Sequence, residues 1–91
     1  MEIRKSDIVQ SVAGRDKGKL FFVIDRDEEF LILADGKGRK LENPKRKKLK
    51  HVRLCGQSDT RTAQKLRDGD KVLNSELRKA LAEYSAGINQ A

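Results

Sequence analysis

Apolar residues in the first part of the chain come in short bursts separated by glycines and charged residues, and this pattern predicts strands. Each burst covers only a few residues, which is too short for a stable helix. Residues 30–34 are apolar throughout and lie between two turns, so we expect a strand that is buried on both faces. Five strands are predicted in all, over residues 7–12, 20–25, 30–34, 39–42 and 52–54.

Turn-forming residues separate the predicted strands. Residues 14–18 begin and end with glycine, which adopts positive φ angles without strain and therefore suits a tight loop. Residues 25–29 form an acidic turn whose carboxylates we expect to be solvated rather than paired for acid–base catalysis. Asp35-Gly36 predicts a two-residue hairpin turn, and Asn43-Pro44 predicts another turn. Five short strands with tight turns predict a small barrel, which limits exposed strand edges.

After about residue 56 the apolar residues take helical spacing. Ser58 is the predicted N-cap of a first helix, with Ala63 and Leu66 facing inward and Gly69 at its end. A second helix is predicted from four apolar residues that share one stripe at a period of 3.6 residues. These residues are Leu73, Leu77, Leu81 and Tyr84.

The ends of the second helix are also predicted from the sequence. Asn74 or Ser75 is its expected N-cap, and Gly87 is its expected stop. Residues 88–91 are expected to fray.

The predicted fold is therefore mainly β, with a five-stranded barrel over residues 1–55 and a two-helix extension over residues 56–91. Neither helix is long enough to be stable alone in water. The helical hairpin either folds back on the barrel or docks on a partner surface, and the pattern alone leaves both options open.

Charge is concentrated in one segment of the chain. The formal net charge is +7, and residues 36–53 hold nine lysines and arginines but one acidic residue. Residues 1–35 carry a small acidic excess, and residues 54–91 are almost balanced. A local basic excess indicates a polyanionic partner more strongly than the same charge spread evenly would.

Composition excludes several classes of protein. Cys55 is the single cysteine and His51 the single histidine, so neither a disulfide framework nor a multi-thiolate or multi-histidine metal site is expected. Cys55 is expected to be a small core residue in a reducing compartment. No apolar run approaches the length of a membrane span, and no signal peptide is recognisable. We expect a cytoplasmic monomer without cofactor, and no enzyme, because 91 residues hardly build a deep active site.

The loop over residues 14–19 carries the strongest chemical signal. Its glycines allow backbone N–H groups to approach a ligand, and its cations can neutralise phosphate. A solvated hairpin with charges for solubility is the simpler alternative. The loop lacks the spacing of a P-loop, and no helix pattern follows it.

The order of residues around this loop resembles the KOW motif. Residues 12–19 are Val-Ala-Gly-Arg-Asp-Lys-Gly-Lys, followed by a β-rich run. Phe21 stands where the motif commonly has a further glycine. Residues 18–25 and 31–36 are more similar to the branch that includes archaeal and eukaryotic large-subunit ribosomal proteins and small bacterial KOW-domain RNA-binding proteins. The resemblance covers about residues 5–54 and implies an SH3-like barrel that contacts ribosomal RNA.

A basic run over residues 44–53 is the second signal for nucleic-acid binding. Leu49 and Val52 can attach it to the core, although a charge run of this kind is often only a solvated surface. The run also resembles a nuclear localisation signal, but an RNA-contacting strand would have the same composition. The residues expected to bind RNA are Arg15, Lys17, Lys19, Lys37, Arg39, Lys40, Lys45, Arg46, Lys47, Lys48, Lys50, His51 and Arg53, with Gly14 and Gly18 allowing close backbone approach.

Aromatic residues are few, which limits how bases could be recognised. Phe21 and Phe22 are adjacent on a strand, and we expect both to be buried, with Phe21 under the helices. Phe30 and Tyr84 are the only other aromatic residues. Single-strand readers rely on exposed aromatic platforms, so binding to structured RNA by shape and phosphate contact is the better expectation.

Two functions follow from the sequence. The first is an RNA-binding module for structured RNA, above all ribosomal RNA, as a ribosomal protein or a ribosome-associated factor. The alternative is a protein-interaction adaptor that uses the SH3-like barrel or the leucine stripe of the second helix. Charge reversal within the basic run would abolish the first function and spare the second.

Overall fold

Five strands and two helices follow one another in the computed structural model, which describes residues 2–58 and 60–89. A single 3₁₀ turn, Leu49–His51, separates the last two strands. The elements are β1 (Asp7–Ser11), β2 (Leu20–Arg26), β3 (Phe30–Ala34), β4 (Lys45–Lys48), β5 (Val52–Gln57), α1 (Arg61–Asp68) and α2 (Asn74–Asn89).

The strands form one antiparallel sheet in the order β4-β3-β2-β1-β5. Successive strands pair from β1 to β4, and β5 returns to pair with β1, where a bulge lies between Ile8 and Val9. Within residues 2–58 no pairing joins β4 to β5, so the sheet is open and a closed barrel is not confirmed. The helices hold almost as many residues as the strands, so a mainly β fold is supported only in part.

The fourth strand lies later in the chain than residues 39–42, where the sequence predicted it. The Asp35 carboxylate accepts backbone N–H bonds from Lys37 and Arg39, so the turn is wider than the predicted two-residue hairpin. The backbone N–H of Leu41 donates to Asn74 Oδ1 at 2.8 Å, which draws this segment to α2. The basic residues of β4 form the edge strand instead, where charged side chains remain in water.

One apolar face of the sheet packs against the helices, and the other forms a second cluster against which Leu49, Val52 and Leu54 pack. Phe21 and Phe22 are both fully buried, as predicted, but they lie on opposite faces. Phe22 packs with the helices and Phe21 does not, which corrects the predicted orientation. The helix-side cluster comprises Ile8, Phe22, Ala34, Ala63, Leu66, Leu77, Ala80 and Leu81. The second cluster comprises Ile3, Val9, Phe21, Val23, Leu31 and Leu33.

The first helix begins with a different cap from the one predicted. Thr60 is the N-cap, and its hydroxyl accepts the Ala63 N–H at 3.3 Å. Ser58 is buried and its hydroxyl accepts the Thr60 N–H, so it supports the cap from outside the helix. Gly69 ends the helix in the left-handed conformation, as predicted.

The second helix packs on the sheet through Leu77 and Leu81, whereas Leu73 precedes it and is 53% exposed. Neither Asn74 nor Ser75, the two predicted N-caps, caps the start of this helix with its side chain. The Leu73 N–H donates to the Glu76 carboxylate, and Asn74 uses its side chain on Leu41 and Glu42. The helix continues past Gly87 to Asn89, and the rest of the predicted frayed end lies outside the described residues. Neither α1 nor α2 is long and apolar enough to cross a membrane.

Candidate nucleic-acid interface

The β1–β2 loop is a closed turn that presents cations at its tip. Gly14 and Gly18 have φ angles of 77° and 91°, which other residues rarely adopt. The Gly18 N–H donates to the Ser11 carbonyl at 2.8 Å and closes the loop where the strands meet. Arg15 and Lys17 are exposed between the two glycines. The sequence therefore placed these four residues correctly in one loop.

Two lysines of β4 connect the basic strand to this loop. The Lys45 ammonium pairs with the Asp16 carboxylate. The Lys47 ammonium donates to the Ala13 carbonyl at 2.9 Å, and Lys47 is only 8% exposed. The two segments singled out in the sequence are thus adjacent, but these two lysines hold the loop in place rather than face solvent.

Asp16 is the acidic centre of the loop. Its carboxylate also lies 3.8 Å from the Lys19 ammonium. The hydrogen bond from Lys45, together with the positive charges of Lys45, Lys19 and Lys47, holds the pKa of Asp16 below its usual value, although partial burial opposes this shift. Asp16 remains ionised at neutral pH and reduces the local positive charge of the loop.

Strand β5 brings a further cation to the same end of the sheet. The Arg53 guanidinium donates to Gln10 Oε1 at 2.6 Å, and the Gln10 amide donates to the Gly18 carbonyl at 3.1 Å. This chain of bonds links β5, β1 and the loop. The neighbouring His51 is half-buried, and its backbone carbonyl accepts the Val12 N–H at 2.9 Å.

An open groove of about 530 Å³ lies between this end of the sheet and α2, and we call it the basic groove. Its cations are Lys37, Arg53 and Arg78, which come from three separate elements and are all exposed. Leu20 and Leu81 contribute apolar surface to it. Lys37, which the sequence predicted as part of the RNA-binding patch, therefore lines the same groove as Arg53.

The remaining cations of the 35–44 segment are placed by its contact with α2. Gly36 is buried against α2, where an added Cβ would lie 2.2 Å from the Asn74 carbonyl oxygen. Arg39 is half-buried, and its backbone closes the turn by accepting the N–H groups of Asp35 and Gly36. Lys40 is exposed beyond this turn and does not line the groove.

The other half of the basic run lies on a different part of the surface. Arg46 stacks over the Phe30 ring, 3.7 Å from its centroid, and lies 3.9 Å from the Asp27 carboxylate. Lys48 and Lys50 lie beside the acidic turn, in a shallow depression shared with its glutamates. Alternate residues of a strand point to opposite faces, so the run cannot form the single patch that the sequence predicted.

The acidic turn between β2 and β3 is organised by its own backbone. Asp27 Oδ1 accepts the N–H groups of Phe30 and Glu29, at 2.8 and 3.0 Å. These two bonds lower the pKa of Asp27, with a smaller contribution from the charge of Arg46. The prediction of a solvated turn agrees with its exposed carboxylates.

Arg78 is the one residue of the groove's basic rim that sequence reasoning missed. Its guanidinium donates to the Gly36 carbonyl at 2.6 Å, which fixes it beside the groove. The spacing of residues along α2 could have identified Arg78 from the sequence. Arg78, Ala82 and Ser85 form a stripe next to the buried leucines of α2, and small residues in such a stripe leave room for a ligand.

Cys55 and Tyr84 complete the surroundings of the groove. Cys55 is half-buried against the helix-side cluster, close to the core position that was expected. Burial raises the pKa of its thiol. The Tyr84 hydroxyl donates to the Cys55 carbonyl at 2.9 Å and ties α2 to β5, and burial raises its pKa as well.

The site combines cations, backbone carbonyls and apolar surface, an arrangement suited to binding a polyanion with planar groups. No model of a known protein family matches the chain, and no curated protein matches it either.

Proposed function

We propose that this chain is a cytoplasmic RNA-binding module of the KOW type, with an SH3-like barrel. Its partner is structured RNA, above all ribosomal RNA, which it contacts as a ribosomal protein or a ribosome-associated factor. The strand order supports the barrel, because successive strands pair and the fifth returns to the first. The positive φ angles of Gly14 and Gly18 support the KOW resemblance, because they explain why the motif has glycine at these two places.

The observation that carries the proposal is the separation of charge along the sheet. Strand β2 spans about 20 Å, with the basic loop before its first residue and the acidic turn after its last. Arg53 and the other groove cations lie at the basic end. A polyanion is therefore attracted to one end and repelled from the other, which orients its approach.

Phosphate contact and shape explain the binding better than base stacking on aromatic rings. Phe21 and Phe22 are fully buried, and the guanidinium of Arg46 covers Phe30. No aromatic platform of the kind that single-strand readers use is exposed at the basic end within the described residues. Exposed cations held on a rigid turn suit the backbone of a folded RNA.

The alternative function, a protein-interaction adaptor, has less support. Leu77 and Leu81 of the predicted docking stripe pack against the sheet of the same chain, so they are not available to a partner. Leu73 alone remains well exposed from that stripe.

Co-sedimentation with ribosomal subunits from the source organism tests the proposal. Charge reversal at Arg15 and Lys17 removes two exposed loop cations without touching the core. The matched control reverses Lys48 and Lys50, which are also exposed but lie beside the acidic turn. Reversal of Lys47 is avoided because this residue is buried.

We expect the wild type and the control to sediment with one subunit, and the loop variant to remain at the top of the gradient. If the wild type also remains at the top, ribosomal binding is excluded. If all three proteins sediment equally, the loop is not the contact.

A further inference from the structure

We infer that the basic groove holds one unpaired nucleotide, extruded from the bound RNA, whose base carries an exocyclic amino group. This inference rests on the proposed function and adds a specific subsite to it. The loop contacts phosphates along the RNA backbone, whereas the groove accepts one base together with its own phosphate.

The size and lining of the groove fit one nucleotide. Its volume of about 530 Å³ falls within the range of small-ligand sites. Leu20, Cys55 and Leu81 form an apolar surface on which a planar base can lie. The groove is open to solvent, so a nucleotide can enter while it remains part of an RNA strand.

The cations at the rim are fixed in place and still able to donate. Arg53 is held by Gln10 and Arg78 by the Gly36 carbonyl, each through one guanidinium nitrogen. A guanidinium has five N–H donors, so most remain available for phosphate oxygens. Lys37 adds a third positive charge from a separate loop. Pre-positioned donors lose little freedom on binding, which favours affinity.

Hydrogen-bond acceptors in the same groove favour a nucleobase over an acidic peptide. Asp35 Oδ1 accepts two backbone N–H groups, while Oδ2 has no hydrogen bond among the described residues. The Gly18 carbonyl accepts one bond from Gln10 and has a second lone pair. Amino groups of adenine, cytosine or guanine can donate to these oxygens, whereas the ionised carboxylate of an acidic peptide has no N–H or O–H to donate to them. Uracil has no amino group.

The groove also gives the helical extension a role in binding. One of its walls is the stripe of Arg78, Ala82 and Ser85 on α2. Without α2 the groove would lack this wall, because the other lining residues come from the sheet and its loops.

Fluorescence anisotropy with three labelled RNA hairpins of equal charge tests the inference. The first is fully paired, the second has one bulged adenosine and the third has one bulged uridine. We expect the wild type to bind the adenosine bulge about tenfold more tightly than the paired hairpin, because one base buries apolar surface against Leu20 and Leu81 and gains hydrogen bonds in the groove. The uridine bulge should gain less than half of that factor.

Two variants identify the groove as the site. Ala82→Leu combined with Ser85→Leu fills the groove without a change of charge, and Arg78→Ala removes one rim cation. The matched controls on the same helix are Ala86→Leu and Lys79→Ala, because both residues are exposed and neither lines the groove. We expect the filled variant to lose the preference for the bulge, with binding to the paired hairpin continuing through the loop. Both controls should keep the preference.

The outcomes separate this inference from the proposed function. If the wild type binds no hairpin, RNA binding itself is refuted and the inference falls with it. Equal binding of all three hairpins would leave RNA binding intact and refute the nucleotide site. Binding of a labelled oligoglutamate that the filled variant loses would assign the groove to an acidic peptide instead and would overturn the inference.

Discussion

The Lys47 side chain is buried at the edge of the core, and its ammonium holds the β1–β2 loop through a hydrogen bond. Its ammonium donates to the Ala13 carbonyl, 34 residues away in the chain, and its neighbours in β4 are Arg46 and Lys48 on the opposite face. In the sequence all three residues look alike. The alternation of the strand separates one structural lysine from two surface cations.

Replacement of Lys47 by methionine tests this structural role. Methionine keeps the length and apolar character of the side chain but cannot donate to Ala13. We expect the free energy of unfolding to fall by about 1–3 kcal/mol, the usual contribution of a hydrogen bond from a charged donor. Urea denaturation measures this change in the free energy of unfolding. Lys48→Met is the control and should stay within about 0.5 kcal/mol of the wild type. Equal losses in both variants would show that the Ala13 contact contributes nothing specific.

Asp16 makes the stability of the loop depend on pH. Its pKa is lowered in the folded state, chiefly by Lys45, so its stabilising contribution is present above the unfolded pKa. That contribution is lost as the pH falls through the lowered folded value, which means below about pH 4. We expect the stability of Asp16→Asn to fall less steeply than that of the wild type over this acidic range. Urea denaturation at a series of pH values compares the two slopes. Parallel curves would contradict the role assigned to Asp16.

At the scale of elements, the 35–44 segment connects the sheet to α2 through Gly36. This glycine has a φ of 78°, and an added Cβ would meet the Asn74 backbone at 2.2 Å. Backbone atoms cannot yield as the end of a flexible side chain can. The segment and the start of the helix therefore fit together only when residue 36 has no side chain.

Gly36→Ala is expected to destabilise the protein by about 2–4 kcal/mol, because a backbone clash adds to the cost of a positive φ. Gly38→Ala is the matched control in the same loop, since a Cβ there meets nothing within 4 Å and its φ is not positive. Thermal unfolding followed by far-UV circular dichroism measures both. A Gly36→Ala variant as stable as the control would mean that the loop does not dock on α2 in solution.

The elements that could be predicted from sequence are those with a local signal. Strands β1, β2 and β3 and both helices follow from apolar spacing, and Gly69 follows from the need for a left-handed residue after α1. The position of β4 could not be predicted, because it depends on the bond between Leu41 and Asn74, 33 residues apart. Asn74 fails as the cap of α2 for a similar reason, since its side chain binds the loop rather than its own helix.

At the scale of the whole molecule, one sheet contributes residues to two apolar clusters. Through the helix-side cluster it packs against the C-terminal helices. Phe22 and Leu77 are fully buried in the same cluster, so the helices share a core with the sheet. This answers a question that the sequence left open. The amphipathic stripe of α2 predicted a docking face, but periodicity does not say which surface it meets.

The candidate site was predictable in its parts but not in its assembly. Glycine spacing identified the loop, and charge identified the basic run. The division of that run between two ends of the sheet depends on register, with Lys48 opposite Phe30 and Lys45 opposite Leu33. Arg78 joins the site only because α2 folds back on the sheet.

The distribution of exposed cations leads to a prediction about salt. Six cations lie on the loop and around the groove, and each phosphate contact contributes about 0.7–0.9 to the slope of log K against log salt. These cations are Arg15, Lys17, Lys19, Lys37, Arg53 and Arg78. For six contacts we expect a slope of about −4 to −5 for a structured RNA hairpin.

Neutralisation of two loop cations, Arg15→Gln with Lys17→Gln, should make that slope shallower by about 1.5–2. Lys48→Gln with Lys50→Gln removes the same charge beside the acidic turn and should leave the slope almost unchanged. The comparison is sensitive because both pairs alter the net charge equally, so a difference reports where the RNA lies rather than how basic the protein is. Anisotropy titrations over a range of salt concentrations give the slopes. Equal changes in the two variants would mean that the RNA is held by overall charge, and that the polarity of the sheet does not orient it.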